Sequence, residues 1–383
     1  MPPIYLDYNA TTPIDPEVRA AMLPYLEEHF GNPSSTHAYG RLTHAAVEVA
    51  RSQVARLIGA ESDEIVFTSG GTEASNHAIK GIGWPGDSHF ITSTIEHPAT
   101  VMPCEFLKRF GCGVTSVPVD RFGIVDPADF RRAIRARTRL SSIMHSNNEV
   151  GTLQPIRELA KIAQEHGILM HTDAAQSLGK VEVNVRDLGV DLLSIAGHKL
   201  YAPKGIGALF VRRGVALESL IHGAGHEAGR RAGTENVPYI VGLGKAAEIA
   251  AKSLPAATVH LRMLRDRLHD RFRQALGDRV VLNGHPEQRL PNTLNINFIG
   301  QVGAELLQRV PGIAASTGSA CHEGQVSQSP VLCAMGVPPE IGKGAVRLSV
   351  GRFTTEEEVD RAAEMLIRFS QENTDNLQRT SAK

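Results

Sequence analysis

The stretch Gly167-Ile-Leu-Met-His-Thr-Asp-Ala-Ala-Gln176, followed by Leu192-Leu-Ser-Ile-Ala-Gly-His-Lys199, sets two short apolar runs directly before polar clusters. Apolar runs this short read as buried strands, which puts Asp173 and Lys199 at or just past strand C-terminal ends. Working outward, the same pattern recurs. Residues 65–67, 89–91, 114–119, 140–144, 168–170, 192–195 and 208–211 read as strands, with helical candidates such as 156–166 between most of them. That alternation predicts an α/β domain on a mostly parallel sheet, the class that places ligands outside strand C-termini.

The flanks carry helix signals. Asp15-Pro16 reads as an N-cap followed by proline at the first helical position, with Val18, Ala21, Met22, Tyr25 and Leu26 at helical spacing and Pro24 as a possible bend. Val47, Ala50, Val54, Leu57 and Ile58 form one apolar stripe ended by Gly59. The character changes after about Val237. Leu261, Leu264, Leu268, Phe272 and Leu276 make a long amphipathic stripe, and 292–298 and 345–350 alternate as strands. Thr354 or Thr355, each with Glu three residues on, starts a last helix through a capping box, and the polar tail after Phe369 is expected to fray. The expected organisation is a large α/β domain followed by a smaller α+β domain.

Composition narrows the function classes. The 383 residues hold 40 Lys+Arg against 41 Asp+Glu, a formal charge of −1, which argues against a polyanion-binding protein. Apolar residues at 42% supply a sizeable core. Cys104, Cys112, Cys321 and Cys333 are scattered, form no CxxC pair and do not read as a disulfide framework. The N-terminal residues show no basic region leading into an apolar core, and no run approaches a membrane span, so a cytoplasmic protein is expected.

Three strand ends carry chemistry. In Phe67-Thr-Ser-Gly-Gly-Thr-Glu73 a strand runs through two glycines into a helix, whose free N–H groups suit a phosphate. Asp173, at a buried strand end, could cap the next turn or pair with a cofactor cation such as a protonated pyridine nitrogen. Lys199 is either a solvated surface charge or, in a partly apolar cleft, a nucleophilic amine able to form a Schiff base. Each signal alone favours its bland reading. Together, a phosphate cradle, an acid and a lysine match one small molecule, pyridoxal 5′-phosphate (PLP). Two rival readings are weak: Gly223-Ala-Gly-His-Glu-Ala-Gly229 has its third glycine one position late for a dinucleotide fingerprint, and no HExxH accompanies the sixteen histidines, so no metal is expected.

Tyr5-Leu-Asp-Tyr-Asn-Ala-Thr-Thr-Pro13, Phe30-Gly-Asn-Pro-Ser-Ser35, Phe67 to Glu73, Asn147-Asn-Glu-Val-Gly151, His171 to Gln176, Gly197-His-Lys199 and Arg347-Leu-Ser-Val-Gly-Arg352 occur in this order. In them the chain resembles the cysteine desulfurases of the class V aminotransferase group over nearly its whole length. The resemblance implies a PLP-dependent transferase of fold type I working as a homodimer, with a mostly parallel seven-stranded sheet in a large domain over 14–250 and a small α+β domain in which residues 1–13 join 251–383. It further implies that Lys199 holds PLP, Asp173 pairs with its ring nitrogen, Gln176 touches the ring hydroxyl and His97 stacks on the ring. Gly71, Thr72 and His198 would bind the phosphate, joined by Thr234 from the partner subunit, while Asn148 and Arg347 would hold the carboxylate of the substrate, L-cysteine. Arg347 also has a local rationale, since Val346, Leu348 and Val350 share the other strand face.

Cys321, flanked by small and polar residues in Ser316-Thr-Gly-Ser-Ala-Cys321, aligns with the family's sulfur-accepting cysteine; the other three read as structural. The implied product is a Cys321 persulfide passed to an acceptor such as an iron–sulfur scaffold or a tRNA-thiolation protein. Ala196 stands where many of these enzymes have a phosphate-binding serine, and His322-Glu-Gly324 follows the cysteine where small hydroxylated residues are commoner. That loop, with Gln288 to Thr293 and Ser329 to Leu332, is also similar to selenocysteine lyases. A selenocysteine lyase and a non-catalytic PLP-containing sulfur-relay scaffold are the alternatives. Lys199, Asp173, Arg347 and Cys321 together speak against the scaffold.

Overall fold

A computed structural model describes residues 2–83, 87–317, 321–322, 325–326 and 328–381. The chain opens with β1 (Ile4–Tyr5), α1 (Pro16–Glu27) and α2 (Ala38–Leu57). It then alternates through β2 (Ile65–Thr68), α3 (Gly71–Gly83), β3 (His89–Ser93), α4 (Pro98–Lys108), β4 (Gly113–Val117), α5 (Pro127–Ala133), β5 (Thr138–Ser142) and α6 (Ile156–Glu165). β6 (Leu169–Asp173), α7 (Val185–Leu188), β7 (Leu192–Ala196), β8 (Gly207–Val211) and the long α8 (Val237–Leu276) follow. The C-terminal part holds β9 (Val280–Leu282), β10 (Thr293–Phe298), α9 (Gly303–Arg309), β11 (Ile313–Ala314), β12 (Cys321–His322), β13 (Gln325–Val326), α10 (Pro330–Ala334), α11 (Pro339–Gly342), β14 (Ala345–Ser349) and α12 (Glu356–Ser381).

All the strands expected between 65 and 211 form one seven-stranded sheet in the order β2-β8-β7-β6-β5-β3-β4. Only β8 runs antiparallel to its neighbours. The C-terminal ends of β2, β3, β5, β6 and β7 therefore share one edge. The β5 run stops at Ser142 rather than Met144. Ile143 and Met144 stay apolar because they continue buried below that edge, where period alone cannot separate strand from exit.

Among the described residues, the two largest buried apolar clusters serve the two parts of the chain. The larger packs Val47 and Val54 of α2, with Ile58 just past its end, and Leu159 and Ala163 of α6 against Ile91, Leu193 and Ile195 of the sheet and Ile143 just past β5. The smaller unites Ile4 and Leu6 with Leu264, Leu268 and Phe272 of α8, Leu294 and Ile296 of β10, Val346 and Leu348 of β14, and Leu366 of α12. The N-terminus is drawn into that second core because β1 pairs parallel with β11. α8 serves both: Ile240, Leu243 and Ala247 belong to the larger core, and the stripe from Leu261 to Leu276 to the smaller. The stripe is thus the second half of a 40-residue helix. Its first half is too rich in small apolar residues to show a stripe, being covered on more than one side.

The capping signals hold. Asp15 Oδ1 accepts from Glu17 N at 2.9 Å, and Thr355 and Glu358 bond reciprocally at 3.2 and 2.9 Å. The last helix does not stop near Phe369 but continues to Ser381. No Gly or Pro interrupts that polar segment. Among the described residues no helix is long and apolar enough to cross a membrane.

Candidate active site

The shared strand edge opens on a cavity of about 540 Å³, within the range of cofactor sites. Gly71, Thr72, His97, Asn148, Asp173, Gln176, His198 and Lys199 all line it, together with Met144, Ser146 and Ala196. Each arrives by the end of a strand. β2 passes through Ser69-Gly70 into α3, and Gly70 adopts φ +153° with nothing near its missing Cβ, a conformation and an opening that a side chain would remove. The first N–H groups of α3 have no acceptor within the helix, so this turn is a ready anion cradle. A Cβ on Gly71 would come within 3.1 Å of Ala196 Cβ, so the backbone here lies against the end of β7. Glu73 closes the turn by accepting from Ser69 N at 2.8 Å and from Arg231 at 2.9 Å.

β6 delivers Asp173, 8% exposed, with Oδ1 accepting from Ala175 N at 2.9 Å. β7 runs into a single tight turn, Gly197–Lys199. Lys199 Nζ donates to the Asn9 carbonyl at 3.0 Å. Burial, reinforced by Arg347 and opposed by Asp173 and Asp7, pulls its pKa down to about 8. An amine so tuned is substantially neutral at mildly alkaline pH, as a nucleophile must be. His97 caps α4, with Nδ1 accepting from Ala99 N at 3.1 Å, which leaves Nε2 to carry the proton of the neutral ring. Burial lowers the His97 pKa, against Asp173 and with Lys199. His198 falls to about 4 by burial and the nearby Lys199 and Lys204, so its ring is neutral and bonds Thr11 Oγ1 through Nδ1 at 3.1 Å.

The expected residues outside this cavity stand elsewhere. Thr234 lines a smaller pocket of about 220 Å³ that shares Ser69, Gly205 and Ile206 with the main one. Its loop is fastened by Glu227, buried at φ +52°, which takes a bidentate pair from Arg51 at 2.7 and 2.9 Å and the Phe67 N–H at 2.8 Å. Arg347 lies behind Asn148, 6% exposed, donating to the Asn148 carbonyl at 2.9 Å and to Asp7 at 2.7 Å, while its Nε–H has no partner. The strand-face argument holds: Val346 and Leu348 face the smaller core and Arg347 does not. The backbone of Cys321 pairs with Val326 in the β12–β13 ribbon, while its side chain lies outside the described residues. Ser316, ahead of that ribbon, bonds the Arg347 backbone in both directions, and Ser329 beyond it donates to the buried Glu149. Cys104 and Cys112 are buried, and burial pushes the Cys104 thiol up to about 12. Cys333, read as structural, is exposed on α10.

Two residues here had no role in the sequence reading. Asn9 is 1% exposed and receives Gln176 Nε2 at 2.9 Å as well as Lys199 on its carbonyl, while its side chain reaches Asn148, Thr293, Asn292 and Lys180. Lys180, 6% exposed, lies beside it. Asn9 sits in the quoted Tyr5 to Pro13 motif, which was its only signal. Lys180, four residues after Gln176, left none.

The donor set fits PLP: an anion cradle, a carboxylate, a planar histidine and a nucleophilic amine all line one cavity. Residues 4–362 match the family described as aminotransferase class-V. The chain is 48% identical to "Cysteine desulfurase IscS" of Dictyoglomus turgidum, over 96% of this chain and 94% of that one. It is 49% identical to the protein of the same name from Methanosarcina thermophila, over 95% and 91%. Among solved structures it resembles a "NIFS-LIKE PROTEIN" with a TM-score of 0.89 and 36% identity over 97% and 99% of the two chains, and "SspA in complex with cysteine" with a TM-score of 0.80 and 35% identity over 92% and 99%. A cavity built for PLP on a mostly parallel sheet, matched over nearly its full length, makes this chain a member of the class V aminotransferase family.

Proposed function

We infer that the cavity around Lys199 holds PLP and that the protein is a cysteine desulfurase, converting L-cysteine to L-alanine with transfer of sulfur to an enzyme thiol. The observation that carries this reading is the meeting of a buried amine of pKa about 8 with Asp173 and the α3 cradle, in a chain 48–49% identical to cysteine desulfurases. When bound, PLP supplies an electrophilic carbonyl and an electron sink for the substrate's α-carbon.

The protein's own groups do the rest. Neutral Lys199 is the nucleophile that holds the cofactor and, once displaced by the amino acid, the base that moves the α-proton. With PLP bound, Asp173 would keep its ring nitrogen protonated, and Gly71, Thr72 and His198 would hold its phosphate. His97, carrying its proton on Nε2, would pack against its ring. Asn148 and Arg347 hold the substrate carboxylate. The Cys321 thiolate attacks the substrate sulfur: an S–S bond forms, the C–S bond breaks, and its electron pair with a proton completes the methyl group of alanine.

The same reading extends to assembly. Within one chain Thr234 lies off the main cavity, which supports its reaching the phosphate of a partner subunit in a homodimer. The chain divides into a large domain, 14–250, and a small one formed by 1–13 with 251–383, α8 running through the junction. The persulfide passes to an acceptor protein, an iron–sulfur scaffold or a tRNA-thiolation protein, in the cytoplasm. Side-by-side assay of L-cysteine and L-selenocysteine with alanine as readout tests the reaction. Turnover of cysteine is expected; a protein that cleaves selenocysteine and ignores cysteine is a selenocysteine lyase instead.

A further inference from the structure

Lys180 is a lysine only 6% exposed, with no carboxylate partner among the described residues. Its ammonium donates to Gln176 Oε1 at 3.1 Å and to Asn9 Oδ1 at 3.4 Å. Burying an amine is costly, and burial, with Lys199 and Arg347 adding to it, brings this one down to about 7. A methionine or leucine would fill such a place at less expense, so the N–H groups of Lys180 need a reason to be there.

The reason lies in what an amide can present. Gln176 lines the cavity, and either its oxygen or its nitrogen could face it. Here Oε1 meets Lys180 and Nε2 meets the Asn9 carbonyl at 2.9 Å. Flipping the amide would set Nε2–H against the Lys180 N–H and Oε1 against the carbonyl, two unsatisfied contacts in a buried setting. Nε2 has two hydrogens and Asn9 takes one. The second remains for a group in the cavity. The Asn9 carbonyl can only accept, so it opposes the flip in either protonation state of Lys180, and the protonated amine, which has no lone pair to offer, opposes it as well.

We propose that Lys180 is a positioning residue that locks the Gln176 amide with its N–H toward the cavity, so that the site favours a negatively charged oxygen on the bound cofactor ring. This rests on PLP occupying the cavity. The neighbouring charges, Asp173, Asp7, Arg347 and Lys199, act on the cofactor whichever way the amide points; only a donor from Gln176 is under Lys180's control.

The test uses the PLP-loaded protein and reads the pH midpoint of its visible absorption band, with thermal melting as a control for folding. Lys180→Met should raise the midpoint by roughly 1 unit, and Gln176→Ala by a similar amount. The double variant should match Gln176→Ala alone, because Lys180 acts only through that amide. Where Lys180→Met does not fold, Lys180→Leu, which likewise has no N–H to offer, should show the same dependence on Gln176 in both backgrounds. An unchanged midpoint in a folded, PLP-loaded Lys180 variant overturns the inference, as does an equal shift once Gln176 is Ala. A wild-type protein that takes up no PLP at Lys199 overturns the functional reading itself and is seen before any variant is made.

Discussion

Asp173 and Lys199 stand at the ends of neighbouring parallel strands, paired through Asp173 and Ser194, whereas Arg347 reaches the same region from a three-stranded sheet in the smaller core. The first group is set by backbone alone: a strand ends, the chain turns, and the residue at the turn faces the cavity. The second is set by contacts between distant segments. Arg347 is held by Asp7 and the Asn148 carbonyl, and Asn9 joins the N-terminal segment to both cores through Gln176, Asn148, Thr293 and Ser349. In the proposed function the strand-end side serves the cofactor and the smaller-core side the substrate. Division of labour between them predicts separable defects.

The sharpest break comes on the strand-end side. Lys199→Ala should lower alanine formation by at least about 10³-fold and abolish the borohydride-reducible colour of the PLP-treated protein, since nucleophile and base are lost together. Retained covalent colour, or an adduct mapped to Lys204, would count against the assignment.

Cys321→Ala should be nearly as severe for cysteine, with a loss of at least about 10²-fold, yet leave PLP binding untouched. The C–S bond breaks only when a nucleophile accepts the sulfur. Selenium is a better leaving group, so selenocysteine should still be cleaved by this variant. Full cysteine activity would show that another thiol, the exposed Cys333 first among them, is the acceptor.

A milder effect is expected at Arg347. Losing a charge-assisted pair to the substrate carboxylate should raise KM roughly 10–100-fold in Arg347→Ala while the cofactor's spectrum stays put. If the spectrum moves instead and KM does not, the two sides are not separable as described.

The smallest effect is a pH profile. Lys199 is lowered to about 8 by burial, so the free amine grows about tenfold per pH unit below 8 and saturates above it. The rate at which cofactor-free protein captures PLP, followed by absorbance, should climb and then level near that pH. A rate still climbing steeply beyond pH 9 would place the amine in an ordinary solvated setting.

Read residue by residue, the strand-end group was legible because periodicity and position coincide there. Apolar runs announced the strands, and Ser69 to Glu73, Asp173 and Lys199 followed them directly. Arg347 was half legible: alternation with Val346 and Leu348 turned it away from the core, but nothing local pointed to Asp7 or Asn148. Asn9 was legible only as part of the Tyr5 to Pro13 motif, and Lys180 not at all, because nothing near either residue in the sequence marks it as buried. Their burial is created only when other segments close over them.

By itself, the sequence determined the sheet, the capped helices and which residues end the strands, since those depend on neighbours within a turn or two. It also marked the division between an α/β part and a C-terminal part by a change in pattern. Tertiary structure alone decided the single run of α8 through both cores, the capture of β1 by β11, and the meeting of Asn9, Gln176, Lys180 and Lys199. Those features arise from desolvation and hydrogen bonding between segments far apart in the chain, and a buried lysine gains its tuned amine only where that packing removes water.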